Sequence, residues 1–197
     1  MKIDSIIRPE VEVEPLGDIM LNFLIDKDRE EPYLDFKETL DIRKTSSFAK
    51  IAKDFFAFSN YGGGFILIGF KEKAKMENPP EDKKVNFLPL GLPADYHIDQ
   101  SDLQPKFNSY SNVPIEIGYR EFLKNIGGTE KKFAAIYVPA STCVLTPIKD
   151  GVYVDEKGKT KRAFETGSVM IRRGTQSLPA TDEEEAWIKK KVFRYGI

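Results

Sequence analysis

One cysteine, Cys143, and one histidine, His97, are spread over 197 residues. A lone thiol excludes an intrachain disulfide, and with a lone imidazole it falls short of the four-ligand set of a structural zinc site. The same count excludes a ribonuclease that works with two histidines as acid and base. The formal net charge is −1, so the chain has no global basicity. Any nucleic-acid partner would have to meet local basic patches. No apolar run has the length of a transmembrane helix or the flanks of a signal peptide, which predicts a cytoplasmic protein with no membrane partner. Gly62-Gly63-Gly64 is followed by Phe65 and carries no Lys-Ser/Thr at Walker spacing. As a phosphate cradle it therefore lacks both its cation and its metal-holding hydroxyl, and a glycine helix stop explains it better. A hydrophobic fraction of 41% is ordinary. Residues 1–197 read as one domain with a full-sized core.

The informative stretch runs from Glu30 to Glu72. Alternation over Tyr33 to Lys37 predicts a strand with Leu34 and Phe36 toward the core and Asp35 and Lys37 together on the other side. Phe48, Ile51, Ala52, Phe55, Phe56 and Phe58 follow helical spacing, with Lys50, Lys53 and Asp54 off the buried stripe. Thr45, Ser46 and Ser47 are expected N-caps. Asn60 and the three glycines, tolerant of positive φ, are expected to stop this helix and turn the chain. Phe65 to Phe70 is apolar without alternation, as in a strand covered on both faces.

Residues 1–15 predict an extended arm. Leu16, Ile19, Met20, Phe23 and Leu24 form the apolar face of a short helix, and Lys71 to Lys84, with Pro79-Pro80, reads as a surface loop. A helix capped by Asp99 should turn Leu103 and Phe107 inward despite Pro105. Ile115, Ile117 and Tyr119 predict a half-buried strand, Asn125 to Lys132 a turn, and Phe133 to Val138 the next strand. Gly151 to Val154 and Ser168 to Arg173 read as hairpin strands around a polar turn at Glu156 to Lys159. Thr181 and Glu184 form a capping box for a last helix, on which Trp187 has core spacing. Tyr61 and Tyr153 are able to stack on bases, although tyrosines in exposed loops need no such explanation.

Five segments in order resemble the Schlafen-type Alba-like (AlbA_2) domain. They are Glu30 with Asp35-Phe36-Lys37, Ala57-Phe58-Ser59-Asn60 with Gly63-Gly64 and Ile68-Gly69, Leu90-Gly91-Leu92, Ile136-Tyr137-Val138-Pro139, and Val169 to Thr175. Coverage is about residues 15 to 190. The resemblance implies an α+β fold, a mixed or mainly antiparallel sheet with packed helices, forming a single stand-alone lobe. Because larger members pair two lobes around a positive groove, it also implies a homodimer.

Two functions follow from the resemblance. One is binding of RNA or DNA by Lys37, Lys50, Lys53, Arg172 and Arg173, together with the basic turn residues Lys159, Lys161 and Arg162, since cations neutralise phosphates and release counterions. Arg172 and Arg173 are neighbours on a strand, so only one of them can face a ligand. The other function is metal-dependent endoribonuclease activity. Nuclease members place two glutamates and a third acid around Mg²⁺ or Mn²⁺, which maps onto Glu30, Asp35 and Glu72 as metal ligands and, with Lys37, as catalytic residues. Here the second acid is shortened to Asp35, and Phe70-Lys71 precede the third. Outside the resemblance, Asp35 and Lys37 read as a surface salt bridge. A non-catalytic protein-interaction or regulatory module, and nucleotide (ATP) binding, stand as alternatives.

Overall fold

The computed structural model describes residues 14–76 and 86–195. Most of the expected arm and residues 77–84 of the expected surface loop lie outside them. In chain order the elements are α1 (Asp18–Ile25), β1 (Leu34–Lys37), α2 (Thr45–Tyr61), β2 (Gly64–Ile68), β3 (Phe70–Glu72), a 3-10 turn (Lys73–Lys75), β4 (Phe87–Pro89), α3 (Gln100–Asn108), β5 (Gly118–Ile126) and β6 (Thr129–Val138). Then come β7 (Val152–Val154), β8 (Thr160–Arg162), β9 (Met170–Arg173), β10 (Gln176–Pro179) and α4 (Asp182–Tyr195). The expected α+β class is observed. The central sheet has the order β1-β2-β6-β5, parallel between β1 and β2 and antiparallel elsewhere. Among the described residues no helix is long and apolar enough to cross a membrane.

Strand alternation divides the core. Leu34, Phe36, Phe65, Leu67, Phe133 and Ala135 face one side and pack with Met20, Leu21, Leu24 and Ile25 of α1. Ile66, Ile68, Ala134, Ile136 and Val138 face the other, against α2 and α3. The sheet is thus the middle of three layers, and all five residues of β2 are buried, as an unalternating apolar run requires. Phe48, Phe55, Phe56 and Phe58 of α2 are fully buried, each worth roughly 2 to 3 kcal/mol by apolar transfer. Asp35 and Lys37, odd to Leu34 and Phe36, therefore project to the α2 side.

Several local expectations are corrected. The buried face of α1 is Met20, Leu21, Leu24 and Ile25, while Ile19 and Phe23 are exposed. The packing of Leu21 and Ile25 on the sheet rotates the helix away from the Leu16–Ile19–Phe23 stripe. Lys44, not a hydroxyl residue, occupies the N-cap of α2 without a side-chain bond. Ser47 Oγ instead accepts from Asp41 N at 3.3 Å. Asn60 stays helical and buried, its amide donating to Leu145 O and Met170 O and accepting from Leu145 N. Gly63 supplies the left-handed residue, at φ 86°. The expected strand over Phe65 to Phe70 breaks at Gly69. The expected turn over Asn125 to Lys132 shrinks to Gly127-Gly128 as β5 and β6 pair up to Ile126 and Thr129. Ile115 and Ile117 precede β5 and hydrogen-bond to Gln104 of α3 instead of a strand. The C-terminal region folds as two hairpins, β7–β8 and β9–β10. Asp99 caps α3 through Ser101 N at 2.8 Å, as expected. The Thr181 capping box also forms, Glu184 N donating to Thr181 Oγ1 at 3.3 Å and Thr181 N to Glu184 Oε2 at 2.8 Å.

Candidate functional site

β1, α2 and the β9–β10 hairpin converge on four charges. Lys37 Nζ bridges Asp35 Oδ2 and Asp54 Oδ2, the latter at 3.1 Å. Arg172 Nη1 lies 3.6 Å from Asp35 Oδ1 and 3.9 Å from Asp54 Oδ1. Ser177, opposite Arg172 in the β9–β10 register, accepts from Arg172 Nη1 at 3.1 Å and donates to Asp54 Oδ1 at 2.7 Å. Asp35, Asp54 and Arg172 are buried, at 4%, 6% and 2% exposure. Two carboxylates and two cations make this floor internally neutral, as burial of charge demands. The Asp35–Lys37 pair is accordingly part of a buried network, not the surface salt bridge that its spacing alone suggested.

The guanidinium of Arg172 also stacks 4.5 Å over the Phe58 ring, and its Nε and Nη2 are buried without a hydrogen-bond acceptor among the described residues. Arg173, its neighbour on β9, faces outward and forms a bidentate pair with Glu184 at 3.1 and 2.7 Å. The two arginines thus divide as strand alternation requires, Arg172 inward and Arg173 onto α4.

Glu30 joins this cluster from the segment before β1, its Oε1 accepting from Phe36 N at 3.3 Å. Burial first, and then the charge of Asp35, push its carboxyl up to about 7. Burial and then Asp54 likewise raise Asp35. Burial works against the Lys37 ammonium, but Asp54 and Asp35 overcome it and hold the group above the ordinary lysine range. Glu72 has another setting. It sits on β3 two residues after Phe70, which stacks on Phe36 at 4.3 Å, and its carboxylate pairs with Lys75 at 2.5 Å. Among the described residues no group of three or more His, Cys, Asp and Glu side chains is arranged to hold a metal ion.

Above the floor opens a cleft of about 890 Å³ bordered by Lys44, Lys50, Lys53 and Lys75 as well as Glu38, Asp41 and Glu156. Glu38 is held by Lys71 at 2.9 Å and Asp41 by Arg43 at 3.6 Å. Lys50, 5.5 Å from the Tyr153 ring, and Lys53 make no ion pair with an acid among the described residues. Lys159 and Lys161 are exposed on the β7–β8 hairpin, and Arg162 there pairs with Asp150 at 3.2 Å and Glu165 at 2.7 Å.

Asp54 and Ser177 complete the cluster without having been expected there. Asp54 immediately precedes the unbroken buried run Phe55 to Asn60, and a helix apolar all round is enclosed, so a carboxylate at its edge needs a buried cation. That signal was present in the sequence. Ser177 had none, since its place depends on the β9–β10 register.

No curated protein matches the chain. A family model described as Schlafen, AlbA_2 matches residues 30–181, from Glu30 at the lip of the charged cluster to the cap of α4. The chain belongs to the Schlafen AlbA_2 family.

Proposed function

We propose that this domain binds RNA or DNA in the cleft above Asp35, Lys37, Asp54 and Arg172, with Lys50 and Lys53 as its principal phosphate-binding groups. One observation carries the reading: Lys37 and Arg172 are consumed in neutralising the floor, whereas the lysines of α2 on the rim are not. A polyanion entering the cleft therefore meets cations above a neutral base. Membership of the Schlafen AlbA_2 family supports a nucleic-acid-related role. Lys159 and Lys161 extend the basic surface, while Arg172 acts from beneath by holding the carboxylates in place. The reading includes a homodimer, in which two lobes face one another across the bound strand, working in the cytoplasm.

A metal-dependent endoribonuclease is the second reading, and the state of Glu30 favours it. Burial, and then the charge of the neighbouring Asp35, push the Glu30 carboxyl up to about 7, and a divalent cation would relieve both the desolvation of the charged form and the repulsion within the pair. Glu30 and Asp35 would hold Mg²⁺ or Mn²⁺, whereas Glu72, on the Phe70 side of β3 and paired with Lys75, is not brought to them as the third acid. When bound, such a metal polarises the phosphoryl oxygen and lowers the pKa of a coordinated water. Lys37 orients Asp35, and the lysines of α2 hold the phosphodiester backbone.

Fluorescence anisotropy with labelled single-stranded RNA, transfer RNA and duplex DNA tests the first reading. Lys50→Glu with Lys53→Glu should weaken binding at least about tenfold, and unchanged affinity would overturn it. The same mixtures with Mn²⁺ or EDTA test the second. Cleavage that needs metal and disappears in Glu30→Gln supports it, and intact RNA under every condition refutes it.

A further inference from the structure

The core spacing of Trp187 predicts packing, yet its side chain is 47% exposed, while its neighbour Ile188 is 1% exposed. Ile188 is the fully buried residue of this turn of α4 and packs with Val169 and Ile171. The tryptophan is left over the C-terminal end of α2, with its ring centroid 6.5 Å from that of the half-buried Tyr61. Lys191 Nζ lies 5.6 Å from the indole centroid and donates to Tyr61 O at 2.8 Å. Among the described residues a Cβ on Gly62 would meet only Lys191 Nζ, at 3.9 Å. α4 starts with Asp182, Glu183, Glu184 and Glu185 and carries Lys189, Lys190 and Lys191 beyond the tryptophan, so the exposed ring lies where the helix passes from acidic to basic, with Lys189 paired to Glu185 and Lys191 beside the ring.

We infer that Trp187 and Tyr61 form a stacking shelf for an unpaired base of single-stranded nucleic acid, with the basic end of α4 drawing in its phosphates. An aromatic face next to fixed positive charge suits a base on a polyanion, whereas an apolar protein partner would have to desolvate the lysines. At 100° per residue Lys50 and Tyr61 share a face of α2 about 16 Å apart, roughly five stacked nucleotides, with the β9–β10 hairpin packed on the helix between them. A strand that occupied both the cleft and the shelf would have to cross the outer face of that hairpin, which buries Asp54 and Phe58 of α2. α4 begins just beyond the residues matched by the family model, so Trp187 lies outside the family segment while Tyr61 lies within it. The inference rests on the proposed nucleic-acid binding.

Trp187 is the only tryptophan, so its intrinsic fluorescence reports on the shelf alone. A short oligouridine should quench it, and Trp187→Ala should weaken oligouridine binding about tenfold, Trp187→Phe less, with the salt dependence unchanged because every phosphate-binding cation is retained. Binding of duplex DNA, whose bases are already stacked, should be unaffected. Because Ile188 keeps α4 seated, both variants should fold, and Trp187→Phe, which keeps a ring against Tyr61, should melt close to the wild type. Oligouridine that binds wild type and Trp187→Ala equally, without quenching, would overturn the shelf and leave the cleft reading intact, provided that Lys50→Glu with Lys53→Glu still lowers affinity. If the wild-type chain binds no nucleic acid, both readings fall.

Discussion

Lys37 is the residue on which the charged floor turns, since it bridges Asp35 and Asp54 more closely than Arg172 does. Its place beside Asp35 was legible from a two-residue strand period, whereas Asp54 arrives from a helix whose approach the period does not encode. Glu30 offers the sharpest test at this scale. Its folded pKa of about 7 stands above the ordinary glutamate value of 4.5, so the folded state holds the proton more tightly than the unfolded chain. The sign follows: the contribution of Glu30 to stability is present below about pH 4.5 and is lost as pH rises toward about 7. Glu30→Gln, neutral throughout, should gain on the wild type by about 1 to 2 kcal/mol near pH 8, after discounting for partial solvent screening, and by nothing near pH 4. Urea unfolding at both pH values measures this, and a gain independent of pH would show that Glu30 is not strained.

Elements were easier to read than their edges. The α2 stripe and the unalternating β2 were plain because burial on one or two faces writes itself directly into residue spacing. The break at Gly69 and the division of the C-terminal region into two hairpins were not, because each depends on pairing partners far along the chain. In α1 two overlapping stripes were available, and the sheet selected the one containing Leu21 and Ile25. α4 shows a signal that survived intact. Its capping box closes in both directions, and Glu184 also receives Arg173, whose hydrogen bonds hold the Glu184 carboxyl down at about 2. Thr181→Ala should cost about 1 kcal/mol in urea unfolding, the ordinary worth of a helix cap, while Arg173 continues to hold Glu184. A loss below a few tenths of a kcal/mol would mean that Arg173 alone fixes the start of the helix.

For the whole molecule a net charge of −1 hides an uneven distribution. Three-layer packing gathers the acids Asp35 and Asp54 with Lys37 and, beneath them, Arg172, and leaves Lys50 and Lys53 at the rim of the cleft. Composition could not reveal this, since it counts charges without pairing them. The family segment was legible as five short motifs in order, and the matched residues 30–181 cover all of them. The site was legible in part: Glu30, Asp35, Lys37 and Arg172 come together as one cluster, while Glu72 pairs with Lys75. The most direct test of the cleft is the affinity for single-stranded RNA measured as a function of salt. Log affinity should fall linearly with log salt for the wild type, and the slope should shrink by roughly 1.4 when Lys50 and Lys53 are both reversed to glutamate, about 0.7 for each phosphate no longer neutralised. An unchanged slope in the double variant would contradict the account, because the α2 lysines would then not be the groups that meet the phosphates.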